Sequence, residues 1–538
     1  MTADRPATLP GPSPEGRRLL LLGLFFVAFG TACRLVRFGL HFPIWGDEAS
    51  LAFNFIERDY LGLLRQLNHY QVAPILFLWV EKSVFLLTGP SDLGLRVFPL
   101  VAGVAGLVLF WRLVRETLPP PAAVLAVGIL AVAQWPIEMA SSVKPYALDL
   151  LAAVWLLWLA TGYLRRPERN RFLAALALSA PVVVGLSYPS VFVAGAVSLV
   201  LLPAVYRDKA VGTRLWFVAY NGLLVGCFLA QIAFVGREPV AGNPPDLDAY
   251  MKLFWNNGFP SGAVGESLSW CVRVHVGKMF SHPLAFNGGG LVGLALVCLG
   301  GRWLVHRGRG RLVALCVLPY ALHLTAAILH RYPYGMNPRL EQHLLPGFCV
   351  LAGSGLVYLL ERVTRAEALR RRGLAAATVC LVLVGLGGMA ADWRRPHHDD
   401  NARWAREISL HLRREVSPGD RIAVRPALEA MSPSLRWQLL PFARQMRSEE
   451  SPGGTEFPSR LWVLDENSGY AAPTAPEPTA RISVAEFSEA ATWEIADRRR
   501  FAASIRDNPS NIFRFFCDVS RCEPAARESG RQSRASRP

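Results

Sequence analysis

The chain has 538 residues and a formal charge of +16, yet 52% of it is hydrophobic and only 18% is charged. Soluble domains carry about a quarter charged residues, so the composition is that of a membrane protein. A nucleic-acid binder is excluded too: the Lys and Arg clusters sit at the ends of apolar segments, as in cytoplasmic loops facing anionic lipid, and not along one basic stripe.

In chain order, Arg17 and Arg18 precede an apolar run at residues 19–38. About 20 apolar residues cross a bilayer, and this run reads as an uncleaved anchor, not a signal peptide. Directly after it comes Phe42-Pro43-Ile44-Trp45-Gly46-Asp47-Glu48-Ala49-Ser50. An acidic pair there is either a solvated turn or a carboxylate held at the membrane surface. Residues 74–87 are apolar but short, with Glu81 and Lys82 at their middle. A central charge pair is costly in hydrocarbon, so this segment reads as an interfacial or re-entrant helix. Spans are expected at 18–38, 93–114, 122–137, 146–163, 172–186, 190–206, 215–235, 284–304, 312–329, 344–360 and 374–391.

Parity supports that count of about 11. With 74–87 left out, Arg112/Arg115, Arg165/Arg166, Arg207/Lys209, Arg302/Arg307 and Arg370/Arg371/Arg372 share the cytoplasmic side with Arg17 and Arg18. Residues 39–96, 138–144, 236–283 and 330–343 then lie on the outer face, with everything after 391. The tail turns polar and Arg-rich. Residues 401–416 are amphipathic, 421–424 and 461–464 look like strands, and 451–458 and 471–478 are Pro/Gly-rich loops. The expected fold is an α-helical polytopic membrane protein: about 11 transmembrane helices, one interfacial helix in the first outer loop, and a small C-terminal soluble α/β domain. Its divisions are a membrane domain at 1–392, a soluble domain at 393–522 and a disordered tail at 523–538. Among nine cysteines, Cys517 and Cys522 are close together in the polar tail, and an oxidising compartment would let them pair.

The order of motifs resembles the C-type membrane glycosyltransferases. Within them it is most similar to family 39: the dolichyl-phosphate-mannose protein mannosyltransferases and bacterial relatives such as the lipid A aminoarabinose transferase. The matching stretches are Trp45-Gly46-Asp47-Glu48-Ala49, Gln71-Val72-Ala73-Pro74-Ile75-Leu76, Leu95-Arg96-Val97-Phe98-Pro99 and Ser141-Ser142-Val143-Lys144-Pro145-Tyr146-Ala147-Leu148-Asp149. A later outer element runs from Arg331-Tyr332-Pro333-Tyr334-Gly335 to Pro346. The likeness covers about residues 18–391 and leaves the tail unassigned. Two departures stand out. Val72-Ala73-Pro74 replaces the relatives' His-Pro-Pro or Lys-Pro-Pro, and Lys144 stands where Arg is usual, keeping the charge but losing the bidentate fork.

The resemblance implies an enzyme that moves a sugar from a polyprenyl-phosphate carrier to a hydroxyl on a lipid, glycan or protein. It implies an active site on the extracytoplasmic face, in a bacterial inner membrane. Such transfer needs a base for the acceptor and fixed positive charge for the departing phosphate. Asp47 is the candidate base, and Glu48 either supports it or binds a metal. Arg96 and Lys144 are phosphate contacts or interfacial anchors. Tyr146 and Asp149 share a helix face, as substrate contacts or as a belt aromatic and a helix-pairing acid. Arg331, Tyr334 and Arg339 belong to a dense polar loop that contacts substrate or simply covers the surface. A divalent metal is left open, because His275 and His282 are either ordinary polar residues or ligands. The rival class is a transporter or flippase of lipid-linked glycans. Such proteins bind near the midplane between repeated halves, whereas here ionisable residues gather at one face and no internal repeat is found.

Overall fold

The computed structural model describes residues 14–208, 210–235, 255–283, 289–335, 337–394, 399–425, 431–446, 460–470, 493–508 and 511–524. The chain forms two compact units: residues 1–41 with 54–395, and residues 42–53 with 396–538.

The first unit is helical. It comprises α1 (Pro14–Gly39), the last turn of α2 (Gly46–Glu57), α3 (Ile75–Thr88), α4 (Asp92–Thr117), α5 (Pro120–Val132), α6 (Gln134–Met139) and α7 (Tyr146–Arg165). There follow α8 (Arg171–Leu186), α9 (Ser190–Arg207), α10 (Val211–Val235), α11 (Val264–Val274), α12 (Gly289–His306), α13 (Gly310–Ile328), α14 (Leu345–Val363) and α15 (Glu367–Arg394). Among the described residues nine helices are long and apolar enough to cross a membrane. The chain is an integral membrane protein.

The expected spans at 122–137 and 172–186 correspond to α5 and α8, of 13 and 16 residues. The first is shortened because the helix breaks at Ala133, where the backbone is extended, and restarts as α6. Every side chain of α5 from Ala122 to Val132 is buried, so protein and not lipid surrounds it. By contrast, only 17% and 11% of the apolar windows of α10 and α15 are buried, as suits helices facing lipid. Helices α12 and α14 cross closely through glycine: a Cβ at Gly300 or Gly355 would collide with the other helix's backbone. Small residues let membrane helices approach in this way.

At 14 residues α3 is about 21 Å long, too short to span. Its Glu81 and Lys82 are buried in protein, with Lys82 Nζ donating to the Phe55 carbonyl at 2.7 Å. Two arginines near the end of α1 are likewise buried. Arg34 donates to the carbonyls of Gly30 (2.9 Å) and Ala131 (3.4 Å). Arg37 pairs with Asp392 on α15 at 2.6 Å and lies 4.0 Å from Glu138 on α6. The first and last spans are thus joined by a buried ion pair.

The second unit contains α16 (Asp399–Glu415), α17 (Pro433–Gln438) and strands β1 (Arg421–Arg425), β2 (Leu461–Tyr470), β3 (Trp493–Asn508) and β4 (Asn511–Pro524). The sheet order is β1-β2-β4-β3, with β1 and β2 parallel and the other pairs antiparallel. Trp404, Ile408 and Leu412 of α16 meet Ile422, Leu435, Leu439, Trp462, Leu464 and Val519 in its core. The expected helix and both expected strands are present, and β3 and β4 are additional. Of the expected disordered tail, Glu523 and Pro524 instead end β4, and 525–538 lie outside the described residues.

The expected pairing of Cys517 with Cys522 is overturned. Both lie on β4, where they oppose Glu466 and Leu461 in one continuous register. Five residues of strand separate their Cα atoms by about 17 Å, and a disulfide spans at most about 7 Å. Cys517 is fully buried in the core.

The Arg37–Asp392 pair yields a test. Removing one partner of a buried pair typically costs about 3–5 kcal/mol, because the other charge is stranded. Arg37→Leu should markedly lower the thermal midpoint of the detergent-solubilised protein, and Arg37→Leu/Asp392→Leu should regain much of it. A double variant no better than the single would deny the pair its role.

Candidate functional site

At one end of the first unit, loops between spans converge on Lys144. It follows the turn after α6, is 5% exposed, and donates from Nζ to Gln71 Oε1 at 2.6 Å. Gln71 is aimed by unusual backbone: His69 and Tyr70 both have positive φ, at 59° and 55°. Two consecutive non-glycine residues in that region cost energy and persist where surroundings impose them. Pro74 then opens α3, and Tyr188 Oη donates to the Ala73 carbonyl at 2.9 Å. Where the relatives carry His or Lys, Val72-Ala73 stands here, directly after the Gln71 that accepts from Lys144.

Tyr146 begins α7 and lies 6.0 Å from the Arg339 guanidinium, which is 5.4 Å from the Trp255 ring. Arg339 is buried in a short 3₁₀ turn, Pro338–Glu341, capped by the Asn337 side chain. Asp149, one turn into α7, is 2% exposed, and Arg96 on the first turns of α4 is 4% exposed. Arg331 differs: its side chain is exposed and joins none of these contacts.

Behind Arg339 stands a wall of rings. His323 of α13 stacks on Phe192 of α9 at 4.8 Å and meets Tyr332, Tyr334 and His343 at 4.9–5.1 Å. His323 Nε2 lies 2.9 Å from the Pro333 carbonyl, which makes Nε2 the protonated nitrogen. Tyr334 Oη bonds His275 Nε2 at 3.0 Å, and the Tyr334 amide donates to the Gly258 carbonyl at 2.9 Å. These bonds clasp the loop after α13 to the segment around α11. Gly335 follows with φ of +75°, and a Cβ there would strike Val274.

Burial sets the electrostatics. The Glu341 carboxyl is pushed up to about 8, against the opposing effect of the Gly335 amide that donates to it. Its Oε2 has no hydrogen-bond partner among the described residues. Burial, reinforced by Asp149, Tyr146 and Glu341, holds the Tyr332 phenol well above its ordinary value. His343 is held well below the usual imidazole range by burial and by His323. His282 falls to about 4 by burial, so both imidazoles are neutral near pH 7. Among the described residues no group of three or more His, Cys, Asp or Glu is placed to hold a metal.

The acidic segment belongs to the second unit. Asp47 and Glu48 occupy the first turn of α2. The Trp45 amide donates to Glu48 Oε2 at 3.4 Å, the reach-back half of a capping box. Glu48 is 1% exposed, whereas Asp47 is half-buried at the helix N-terminus, where the helix dipole favours negative charge. The structure thus sets Lys144 on Gln71, Arg339 between Tyr146 and Trp255, and Tyr334 against His275 and His323. Trp255, His323 and Glu341 were not singled out by the motifs. The left-handed pair at 69–70 had no sequence signal; a buried Glu341 was hidden in a loop that reads as polar.

Residues 72–231 match the family of dolichyl-phosphate-mannose-protein mannosyltransferases. The fold is similar to ArnT from Cupriavidus metallidurans bound to undecaprenyl phosphate, with a TM-score of 0.52 at 12% identity over 92% of this chain and 97% of that one. An apo oligosaccharyltransferase from Archaeoglobus fulgidus gives a TM-score of 0.44 at 13% identity over 74% of this chain and 58% of that one. No curated protein matches the sequence.

Glu341 supplies a pH test. Its carboxyl titrates near 8 when folded and near 4.5 as its ordinary value, so the native state holds an extra proton between those limits. Stability should therefore fall as pH rises from about 4.5 to 8. The unfolding midpoint of Glu341→Gln should fall less over pH 5–8 than that of the parent. Parallel pH profiles would remove Glu341 as the source.

Proposed function

We propose that this chain is a C-type membrane glycosyltransferase that moves a sugar from a polyprenyl monophosphate to an acceptor hydroxyl, at the extracytoplasmic face of a bacterial inner membrane. The observation that carries the reading is the match of residues 72–231 to the mannosyltransferase family. The undecaprenyl phosphate bound to ArnT gives the carrier class.

Asp47 takes the proton of the acceptor hydroxyl, whose oxygen attacks the anomeric carbon. The bond from that carbon to the phosphate oxygen breaks, and polyprenyl phosphate leaves with the electron pair. Glu48 fixes the start of α2 and so the position of Asp47. Lys144 and Arg96 receive the phosphate charge. Tyr146, Asp149, Tyr334 and Arg339 line the sugar and acceptor, with Arg331 at the rim. A wall of neutral imidazoles and rings suits this chemistry: it keeps water from competing with the acceptor and strengthens the charges facing the phosphate. The basic clusters at the other ends of the spans support an extracytoplasmic position for these loops.

Proteoliposomes containing the purified chain, supplied with a panel of radiolabelled undecaprenyl-phosphate sugars and membrane lipid or glycan acceptors, test the reaction. Asp47→Asn should lower transfer by about 10²–10⁴-fold while retaining undecaprenyl-phosphate binding. Lys144→Ala should weaken that binding, and Lys144→Arg should keep most of it. Near wild-type transfer by Asp47→Asn would remove Asp47 from the chemistry.

Sidedness is tested separately with single cysteines at the exposed positions Leu61 and Arg331 in a cysteine-free chain. Both should react with an impermeant maleimide in intact cells whose outer membrane is permeabilised. A cysteine at Arg309 should not. The reverse labelling pattern would invert the topology.

A further inference from the structure

Phe42–Phe53, which carries Asp47 and Glu48, packs within the second unit. Its partner there is α17. The Phe53 ring is 2% exposed and meets Trp437 edge-on at 5.9 Å. The Arg436 guanidinium covers the same ring at 4.3 Å from its centroid. At the other end of the segment, a Cβ on Gly46 would stand 3.9 Å from Ser434 Oγ. That hydroxyl is fully buried and has no hydrogen-bond partner among the described residues. Three residues of one short helix thus touch both the start and the third turn of the segment.

Helix α17 is itself immobilised. Leu435 and Leu439 enter the core with Trp404, Ile408 and Trp462. Ser409 Oγ of α16 donates to the Gln438 carbonyl at 2.8 Å, and Ser432 caps the helix at the Leu435 amide. Sheet, α16 and α17 therefore form one rigid support for the acidic turn.

We propose that α17 is the positioning element for the Asp47 carboxylate, with Trp437 and Arg436 as its positioning residues. The C-terminal unit then acts in the reaction by holding the base, without touching substrate. The proposal rests on Asp47 being the base. Misplacing a reacting group by about 1 Å costs about 10²-fold in rate, so a loosened support is read in turnover more than in donor affinity.

The test uses the full-length protein in detergent, with two readouts. Hydrogen exchange of residues 46–53 reports docking without catalysis. It should rise about tenfold or more in Trp437→Ala and Arg436→Ala, with β1 and β2 protected as in the parent, and Trp437→Phe should restore it. Transfer from whichever undecaprenyl-phosphate sugar is active reports positioning: kcat should fall about 10²-fold in Trp437→Ala and about tenfold in Arg436→Ala, with KM for the donor within about threefold. Arg436 is half-buried, so its variant keeps the fold if Trp437→Ala does not. Unchanged exchange in Arg436→Ala overturns the docking, and raised exchange with unchanged kcat overturns the positioning role. Wild-type transfer by Asp47→Asn would instead overturn the base reading, and the exchange result would still stand or fall by itself.

Discussion

The Arg37–Asp392 ion pair shows the constraint on which the membrane unit depends. A charge in hydrocarbon costs several kcal/mol unless the protein itself answers it. Arg37 is answered by a carboxylate from the last span, with Glu138 of α6 nearby, so three distant parts of the chain meet at one guanidinium. Arg34, one turn earlier, is answered by carbonyls of α1 and α5, and Lys82 by the carbonyl of Phe55. Burial of these groups fixes the neighbours of α1, the place of the fully enclosed α5, and the non-spanning role of α3.

The same constraint shapes the site. Lys144 and Arg339 are buried cations held in part by an amide and by aromatic faces. Burial keeps the imidazoles of His343 and His282 unprotonated near neutral pH. The loops are stiffened by Tyr334, by the capped turn at 338–341 and by backbone at His69 and Tyr70 that few residues adopt. Rigid loops on a rigid bundle are what precise positioning of a membrane-bound donor requires.

The acidic turn follows another logic. Glu48 satisfies the Trp45 amide at the start of α2, while Phe53 lies between Trp437 and Arg436. A segment that follows the first span in sequence thus owes its packing to residues nearly four hundred positions later.

The sequence by itself determined the membrane class, the positions of most spans and the short charged helix at 74–87. Each of these depends on local hydropathy. It also singled out Tyr146 and Arg339, whose ring and guanidinium lie 6.0 Å apart. It did not reveal Gln71 as the partner of Lys144, 73 residues away, nor Glu341 and His323, because nothing local distinguishes a buried polar side chain from an exposed one. Proximity in sequence misled at Cys517 and Cys522: five residues are close along a coil but about 17 Å apart on a strand. Only the tertiary structure decided which neutral groups hold which cations, and which unit carries the acidic turn. Both are set by long-range packing, which no local pattern encodes.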